Sequence, residues 1–153
     1  MQVTKFVPAL ISLIALFVCG NFSANAQGLP LEVLASPPIK VKDDIWTIKY
    51  SIMNQGTTTA RFAIFSCSFW DNWNTDGKDF FVLPGGCRAN VLLEEKLDTG
   101  KKISGELTVH STAHLTPGPH RFHLIFIPFN CGASNRKPQK LTPICSNEIT
   151  AIE

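Results

Sequence analysis

The fold is decided by an alternating stretch in the first half of the chain, Ile45-Trp46-Thr47-Ile48-Lys49-Tyr50-Ser51-Ile52-Met53. Large apolar or aromatic side chains occupy every second position from Trp46 to Ile52, and polar side chains fill most positions between them. In an extended strand, successive side chains point to opposite faces of the sheet. The stretch therefore predicts a β-strand that buries Trp46, Ile48, Tyr50 and Ile52.

The rest of the chain repeats this kind of pattern in shorter runs. Residues 60–70 and 120–129 are apolar on both faces, which predicts two central, deeply buried strands. Residues 101–110 alternate, with Ile103, Leu107 and Val109 inward. Other runs predict strands over 79–83, 90–95 and 146–152, the last with Ile149 and Ala151 inward. Turn residues separate these runs, and no amphipathic helix of ten residues is present. About seven strands predict an all-β, antiparallel β-sandwich, with a small β-barrel as the alternative.

The first 26 residues have the features of a secretory signal peptide. Lys5 precedes a 14-residue apolar run that ends at Cys19, and Ala24-Asn25-Ala26 matches the small-x-small cleavage pattern. We expect a signal peptide over 1–26, an extended lead-in over 27–42 and the β-sandwich domain over 43–153. The cleaved protein would be secreted or periplasmic.

Two other interpretations of the N-terminal segment have less support from its sequence. A membrane span needs about 20 apolar residues, so this run is too short, and we expect no membrane span in the mature chain. Lipidation at Cys19 is a minor alternative, because Val18 stands where a small residue normally precedes a lipidated cysteine.

The charge balance argues against nucleic acid as a partner. The chain of 153 residues carries a net charge of +2, and Lys5 is the only charge within the predicted signal, so the mature protein carries +1. The basic pairs Lys101-Lys102 and Arg136-Lys137 are short and separate. A nucleic-acid-binding protein would show a clustered basic face instead.

Four cysteines remain after the signal: Cys67, Cys87, Cys131 and Cys145. An even number of cysteines in an exported chain implies disulfides, with three possible connectivities. The C-x-x-C motif of redox and zinc sites is absent. We predict Cys67 with Cys87, because the latter follows the Pro84-Gly85-Gly86 turn. We also predict Cys131 with Cys145, because a hairpin would bring these strand ends together.

Three segments carry a resemblance to known proteins. Trp46 to Asn54, followed by a glycine turn, looks like the second strand of immunoglobulin-like modules in secreted bacterial proteins. Phe65-Ser66-Cys67-Ser68, Asn72-Trp73-Asn74-Thr75-Asp76 and Cys87-Arg88-Ala89-Asn90 together resemble a small group of uncharacterised exported bacterial domains. Thr116 to Phe122 is similar to the turn before a late core strand in such sandwiches. The resemblance covers residues 40–153 and implies an immunoglobulin-like β-sandwich but no reaction.

No catalytic or cofactor-binding pattern is present. Asn72, Asn74 and Asp76 occupy calcium-ligand positions, but Leu83 stands where an EF-hand needs a bidentate glutamate, which leaves at most weak calcium binding by the 71–77 loop. His120 and His123 would point to opposite faces of one strand, so a zinc site is not expected. No nucleophile-elbow motif accompanies a histidine. We expect no enzyme activity, metal or cofactor.

The densest aromatic segment is the predicted loop over 70–81. Loops on rigid β scaffolds often carry function, and tryptophan with amides suits sugar rings or protein hot spots. We predict a contact loop made of Trp70, Asn72, Trp73, Asn74 and Asp76. Trp73 is the preferred contact, because its polar neighbours make it less prone to burial than Phe69. The expected function is a non-catalytic binding or interaction module for an unknown protein or glycan. The alternative is an inhibitor of an exported hydrolase, such as a protease or lysozyme.

Overall fold

The computed structural model describes residues 28–87, 90–112, 115–132 and 138–153. The predicted signal peptide and its Cys19 lie outside these residues, as do Arg88, Ala89 and the Arg136-Lys137 pair. Within them the chain forms one 3₁₀ turn (Phe69–Asn72) and twelve strands: β1 (Leu31–Ala35), β2 (Ile39–Lys42), β3 (Ile45–Asn54), β4 (Ala60–Phe65), β5 (Trp73–Thr75), β6 (Phe80–Val82), β7 (Leu92–Leu97), β8 (Lys102–Ser111), β9 (Pro119–Phe122), β10 (Leu124–Phe126), β11 (Ile144–Cys145) and β12 (Ile149–Ile152). All strand pairs within the sheets are antiparallel, which confirms the all-β prediction.

The strand β3 is the centre of the largest sheet, as its alternation predicts. It pairs along its length with β8, from Ile45 opposite His110 to Met53 opposite Lys102. Trp46, Ile48 and Ile52 are buried, while Tyr50 is half-buried. The sheet order is β1-β3-β8-β6.

The predicted lead-in is part of this sheet. The strands β1 and β2 pair in turn with the second and first halves of β3, so the sheet begins at Leu31. Leu31 and Val33 are buried because alternation points them to the core. The whole of β2 is exposed.

The remaining strands form shorter ladders on the other side of the core. The strand β10 lies between β5 and β11, β9 pairs with β12, and β4 pairs with β7. Isolated bridges join Ala63 to Phe129 and Phe129 to Lys140, which connect β4 to the chain that leaves β10. A parallel bridge from Val33 to Ser146 links this group to the first sheet. The sheets are curled.

The two predicted central strands are shorter than expected. The run 60–70 stops being a strand at Phe65, because the chain turns at Ser66 and Cys67 and enters the 3₁₀ turn. The run 120–129 breaks at His123, whose backbone N–H donates to Asp76 Oδ1 at 2.6 Å. The break at His123 divides one predicted strand into β9 and β10, and the other additional strands are β1 and β2 in the predicted lead-in, β5 in the predicted loop, and β11.

One hydrophobic core joins both groups of strands. Phe62 and Phe126 meet edge to face at 5.8 Å between ring centroids, and Phe80 stacks on Phe122 at 4.3 Å. Phe62, Phe122, Leu124 and Phe126 are almost completely buried, as predicted for the central runs, and so is Ile48 of β3. Each such side chain contributes about 1.5–3 kcal/mol of burial free energy.

Candidate functional site

Trp73 is a core residue rather than a surface contact. It is only 6% exposed, and its ring lies 4.4 Å from that of Tyr50 and 5.0 Å from that of Phe126. The short strand β5 pairs with β10 and places Trp73 opposite Phe126. Alternation then turns Trp73 inward and Asn74 outward. The prediction that Trp73 is more exposed than Phe69, which is half-buried, is wrong.

The polar residues of the predicted loop serve separate partners. Buried Asn72 accepts from the N–H of Phe65 at 3.0 Å and donates to the carbonyl of Ile127 at 2.9 Å. Exposed Asn74 accepts from the N–H of Thr75. The carboxylate of Asp76 accepts from the N–H of His123 and contacts its ring. The amide and carboxylate oxygens expected to contact a ligand or calcium are thus each used by a different protein group.

Trp70 is held against a glycine. A Cβ built on Gly85 would lie 2.6 Å from the Trp70 ring, so only a residue without a side chain allows this approach. Trp70 is half-buried and also contacts Phe69, with 5.5 Å between ring centroids. The residue is therefore partly covered by the Pro84-Gly85-Gly86 segment.

The chain around Trp70 is tied to this segment by a disulfide. Cys67 and Cys87 are bonded, with Cα atoms 5.8 Å apart, which confirms the first predicted pairing. Ser68 and Asn90 exchange two hydrogen bonds, and the Ser66 N–H donates to the Val91 carbonyl at 2.9 Å. We call residues 66–72 and 83–87 the clamped loops.

The second predicted disulfide, between Cys131 and Cys145, is not formed, and Cys131 carries a thiol. The strand register explains this. Cys145 lies opposite Ile125, whereas the residue before Cys131 bonds to Gln139 farther along the hairpin. A shift of about six residues separates the two cysteines by about 20 Å along the strands, while a disulfide needs Cα atoms within about 7 Å.

An aromatic cleft lies beside the 3₁₀ turn of the clamped loops. Its volume is about 90 Å³, and it is lined by Tyr50, Ile52, Ile64, Phe69, Asn72, Trp73, Ile103 and Phe126. These residues come from β3, β8, β4, the 3₁₀ turn, β5 and β10, so both groups of strands form its walls. An apolar cavity of somewhat larger size, about 150 Å³, can hold benzene. The cleft is smaller but open on one side, so it can admit one end of a small apolar group.

Tyr50 provides the polar group at this cleft. Burial raises the pKa of its phenol above the usual value of 10.0. Its hydroxyl makes no hydrogen bond to any described residue, and it lies over Gly105, where an added Cβ would be 2.5 Å from Oη. The alternation of β3 predicts the inward direction of Tyr50. It does not reveal the space beside the ring.

Two histidine–carboxylate pairs lie outside the cleft. His110 Nε2 is 2.6 Å from Asp44 Oδ2, and His123 Nδ1 is 2.8 Å from Asp76 Oδ2. Within the described part of the chain, neither ring is hydrogen-bonded to a serine, threonine or cysteine side chain. The Asp76–His123 pair instead joins the end of β5 to the break between β9 and β10.

The disulfide fits an oxidising, exported location. No helix in the described residues is long and apolar enough to span a membrane. No protein-family model and no curated protein sequence matches the chain.

Proposed function

We propose that this protein is an exported, non-catalytic binding module whose aromatic cleft takes a small apolar group of its ligand. The observation that carries the proposal is the cleft itself, about 90 Å³ lined mainly by aromatic and branched aliphatic side chains. At its wall, the Tyr50 hydroxyl makes no hydrogen bond to any described residue. Binding sites of this kind combine apolar walls with a few polar groups that orient the ligand.

The rigidity of the surrounding chain supports the proposal. The Cys67–Cys87 bond and the Ser68–Asn90 hydrogen bonds hold the clamped loops before any ligand arrives. A site that is already ordered loses less conformational entropy on binding. The ligand can then gain useful affinity from a small contact area.

The burial of the tryptophans favours a protein or small-molecule ligand over a glycan. Sugar recognition uses an open aromatic face, but Trp46 and Trp73 are 3% and 6% exposed. Trp70 lies against Gly85. None of the three rings offers the flat exposed platform that sugar stacking needs.

We also propose that the strands form an immunoglobulin-like sandwich rather than a small barrel. The order β1-β3-β8-β6 matches the four-stranded sheet of such domains, and β9–β10 with β4 and β11–β12 matches the opposite sheet. In the described residues no strand pairing joins β7 to β8, whereas a closed barrel would need it. Rapid hydrogen exchange at the N–H groups of Ser104 and Glu106 supports the sandwich, and strong protection contradicts it.

The clamped loops also suit the alternative function, inhibition of an exported hydrolase. Pro84, Gly85 and Gly86 are exposed and lie next to the disulfide. A rigid, exposed loop is what an inhibitor presents to an active-site cleft. Tight inhibition of a secreted protease or lysozyme that survives filling of the aromatic cleft would support this alternative over ours.

The test is a titration with p-cresol, indole and isobutanol, observed by saturation-transfer NMR. Ile103→Phe fills the cleft, and Ile39→Phe makes the same change at a side chain that is 60% exposed. We expect saturable binding to the native protein and to Ile39→Phe, and about tenfold weaker binding to Ile103→Phe. Equal binding to both variants, or none to the native protein, overturns the proposal.

A further inference from the structure

In the described part of the chain, one half of β8 has a free edge beside the cleft. Among these residues, β6 pairs with β8 from Val109 to Ser111 only, and Leu83 adds one bond to the Thr108 carbonyl. Backbone groups on one edge of an antiparallel strand belong to alternate residues. By this alternation, the N–H and C=O groups of Ser104 and Glu106 point to the free edge. No described residue bonds to them there.

The edge is free because the chain leaves it at a proline. Pro84 follows Leu83 directly and has no N–H with which to continue the ladder. The next residue, Gly85, lies against Trp70, and the Cys67–Cys87 bond holds the chain there. The clamped loops thus divert the strand that would otherwise cover Ser104 and Glu106.

We take β7, an edge strand with exposed apolar side chains, as the other border of this opening, because its partner β4 supplies Ile64 to the cleft that Ile103 of β8 also lines. Among the described residues β7 pairs with β4 alone, and the Asp98–Lys101 turn connects it to β8. Leu93 lies opposite Ile64 on the core-facing side, yet it is 47% exposed, and nearby Val91 is 44% exposed. Apolar surface on a core-facing side remains uncovered between these two edges.

The border also carries a negative charge. Glu95 lies two residues from Leu93, opposite buried Phe62 and on the same face of β7. It is half-buried, and in the described part of the chain it makes no ion pair. A carboxylate in this position favours a basic group on whatever occupies the opening.

We propose that an extended, basic segment of a partner protein adds as a strand to the free edge of β8. Its backbone pairs with Ser104 and Glu106, one apolar side chain enters the aromatic cleft, and a lysine or arginine lies beside Glu95. This inference rests on the proposed function, because the cleft receives the apolar side chain. Unpaired backbone groups select a peptide over a lipid or a sugar, since strand addition satisfies them directly.

The probe is the capped peptide Thr-Val-Thr-Phe-Thr-Lys-Thr, with affinity measured by calorimetry. Its alternation directs valine, phenylalanine and lysine to the same side. N-methylation of the two threonines that flank phenylalanine removes the N–H donors that face β8. We expect this change to weaken binding by about tenfold or more, and N-methylation of phenylalanine itself to weaken it less than about threefold. Equal effects of the two modifications overturn strand addition.

Two protein variants test the same contacts from the other side. Ser104→Pro removes an outward N–H at an edge, where proline is tolerated, and Ser104→Ala is its control. We expect only the proline variant to weaken binding, by about fivefold or more. Glu95→Lys should weaken binding of the lysine peptide and strengthen binding of the same peptide with glutamate in place of lysine. If Glu95→Lys does not change the ratio of the two affinities, the partner segment is not basic.

Failure of this inference is distinguishable from failure of the proposed function. If p-cresol binds the cleft but the peptide does not bind, or binds without the N-methyl effect, strand addition is wrong and the cleft proposal stands. If neither probe binds, both proposals are wrong. The melting temperature and circular dichroism of Ser104→Pro establish folding, and the N-methyl comparison uses native protein alone.

Discussion

The ring of Tyr50 occupies the space left by the missing side chain of Gly105, its partner across the β3–β8 ladder. A Cβ on Gly105 would lie 2.5 Å from Tyr50 Oη and 2.8 Å from the ring carbon that bears it. This pair sets the shape of the cleft, because the ring can lie flat across β8 only where the strand has no side chain. The phenol hydroxyl thereby lies over β8.

Gly105→Ala should displace the Tyr50 ring. We expect the free energy of unfolding to fall by about 1–3 kcal/mol, the usual cost of overpacking, and p-cresol binding to weaken. Urea denaturation measures the first effect. The control is Gly86→Ala, where an added Cβ meets nothing within 4 Å and the expected change is within about 0.5 kcal/mol. Equal losses in the two variants would show that Tyr50 does not pack on Gly105.

Trp73→Ala should be strongly destabilising. Its ring packs between those of Tyr50 and Phe126, so we expect a loss of about 3–5 kcal/mol in the free energy of unfolding. Phe81→Ala, at an aromatic side chain that is 36% exposed, should cost about 1 kcal/mol or less. A small effect of Trp73→Ala in chemical denaturation would mean that Trp73 is not a core residue and does not form a wall of the cleft.

The phenol of Tyr50 should ionise above the usual pH. The chain contains a single tyrosine, so the ultraviolet absorbance of tyrosinate reports this group alone. Burial raises its pKa above 10.0 by disfavouring the charged form. The associated stability is fully present below the unfolded-state pKa and is lost as the pH rises through the folded-state pKa. A titration midpoint at or below that of the urea-unfolded chain would mean that the ring is open to solvent.

Removal of the clamp should destabilise the protein without changing its sheets. The Cys67–Cys87 bond spans a sequence separation of 20 residues, worth about 3 kcal/mol in the chain-entropy model. We expect Cys67→Ala combined with Cys87→Ala to lower the free energy of unfolding by that amount and to weaken peptide binding. Cys131→Ala is the control, with an expected loss near 1 kcal/mol. Equal stability of the double variant and the native protein contradicts a clamping role.

Local alternation predicts much of the strand framework. The pattern of Trp46, Ile48 and Ile52 gives the buried face of β3, and Ile149 and Ala151 do the same for β12. These predictions succeed because each face is defined within a few residues. The ends of strands depend instead on partners far along the chain, such as Asp76, which interrupts the ladder at His123.

The site was only partly predictable for the same reason. The aromatic density near Trp70 and Trp73 indicates the right region, but polar neighbours of Trp73 suggest exposure when β5 actually turns the ring inward to Phe126. Tyr50 and Gly105 are 55 positions apart in the chain, and the sequence around neither residue indicates that they are in contact. The mispaired Cys131 and Cys145 likewise depend on register, which cysteine spacing does not determine.

The most direct test of the central claim is a methyl NMR titration of isoleucine-labelled protein with p-cresol. We expect saturable ring-current shifts at Ile52, Ile64 and Ile103, which line the cleft, and none at exposed Ile39 and Ile152. Absence of shifts at the cleft isoleucines, or shifts of similar size at the exposed ones, would contradict it.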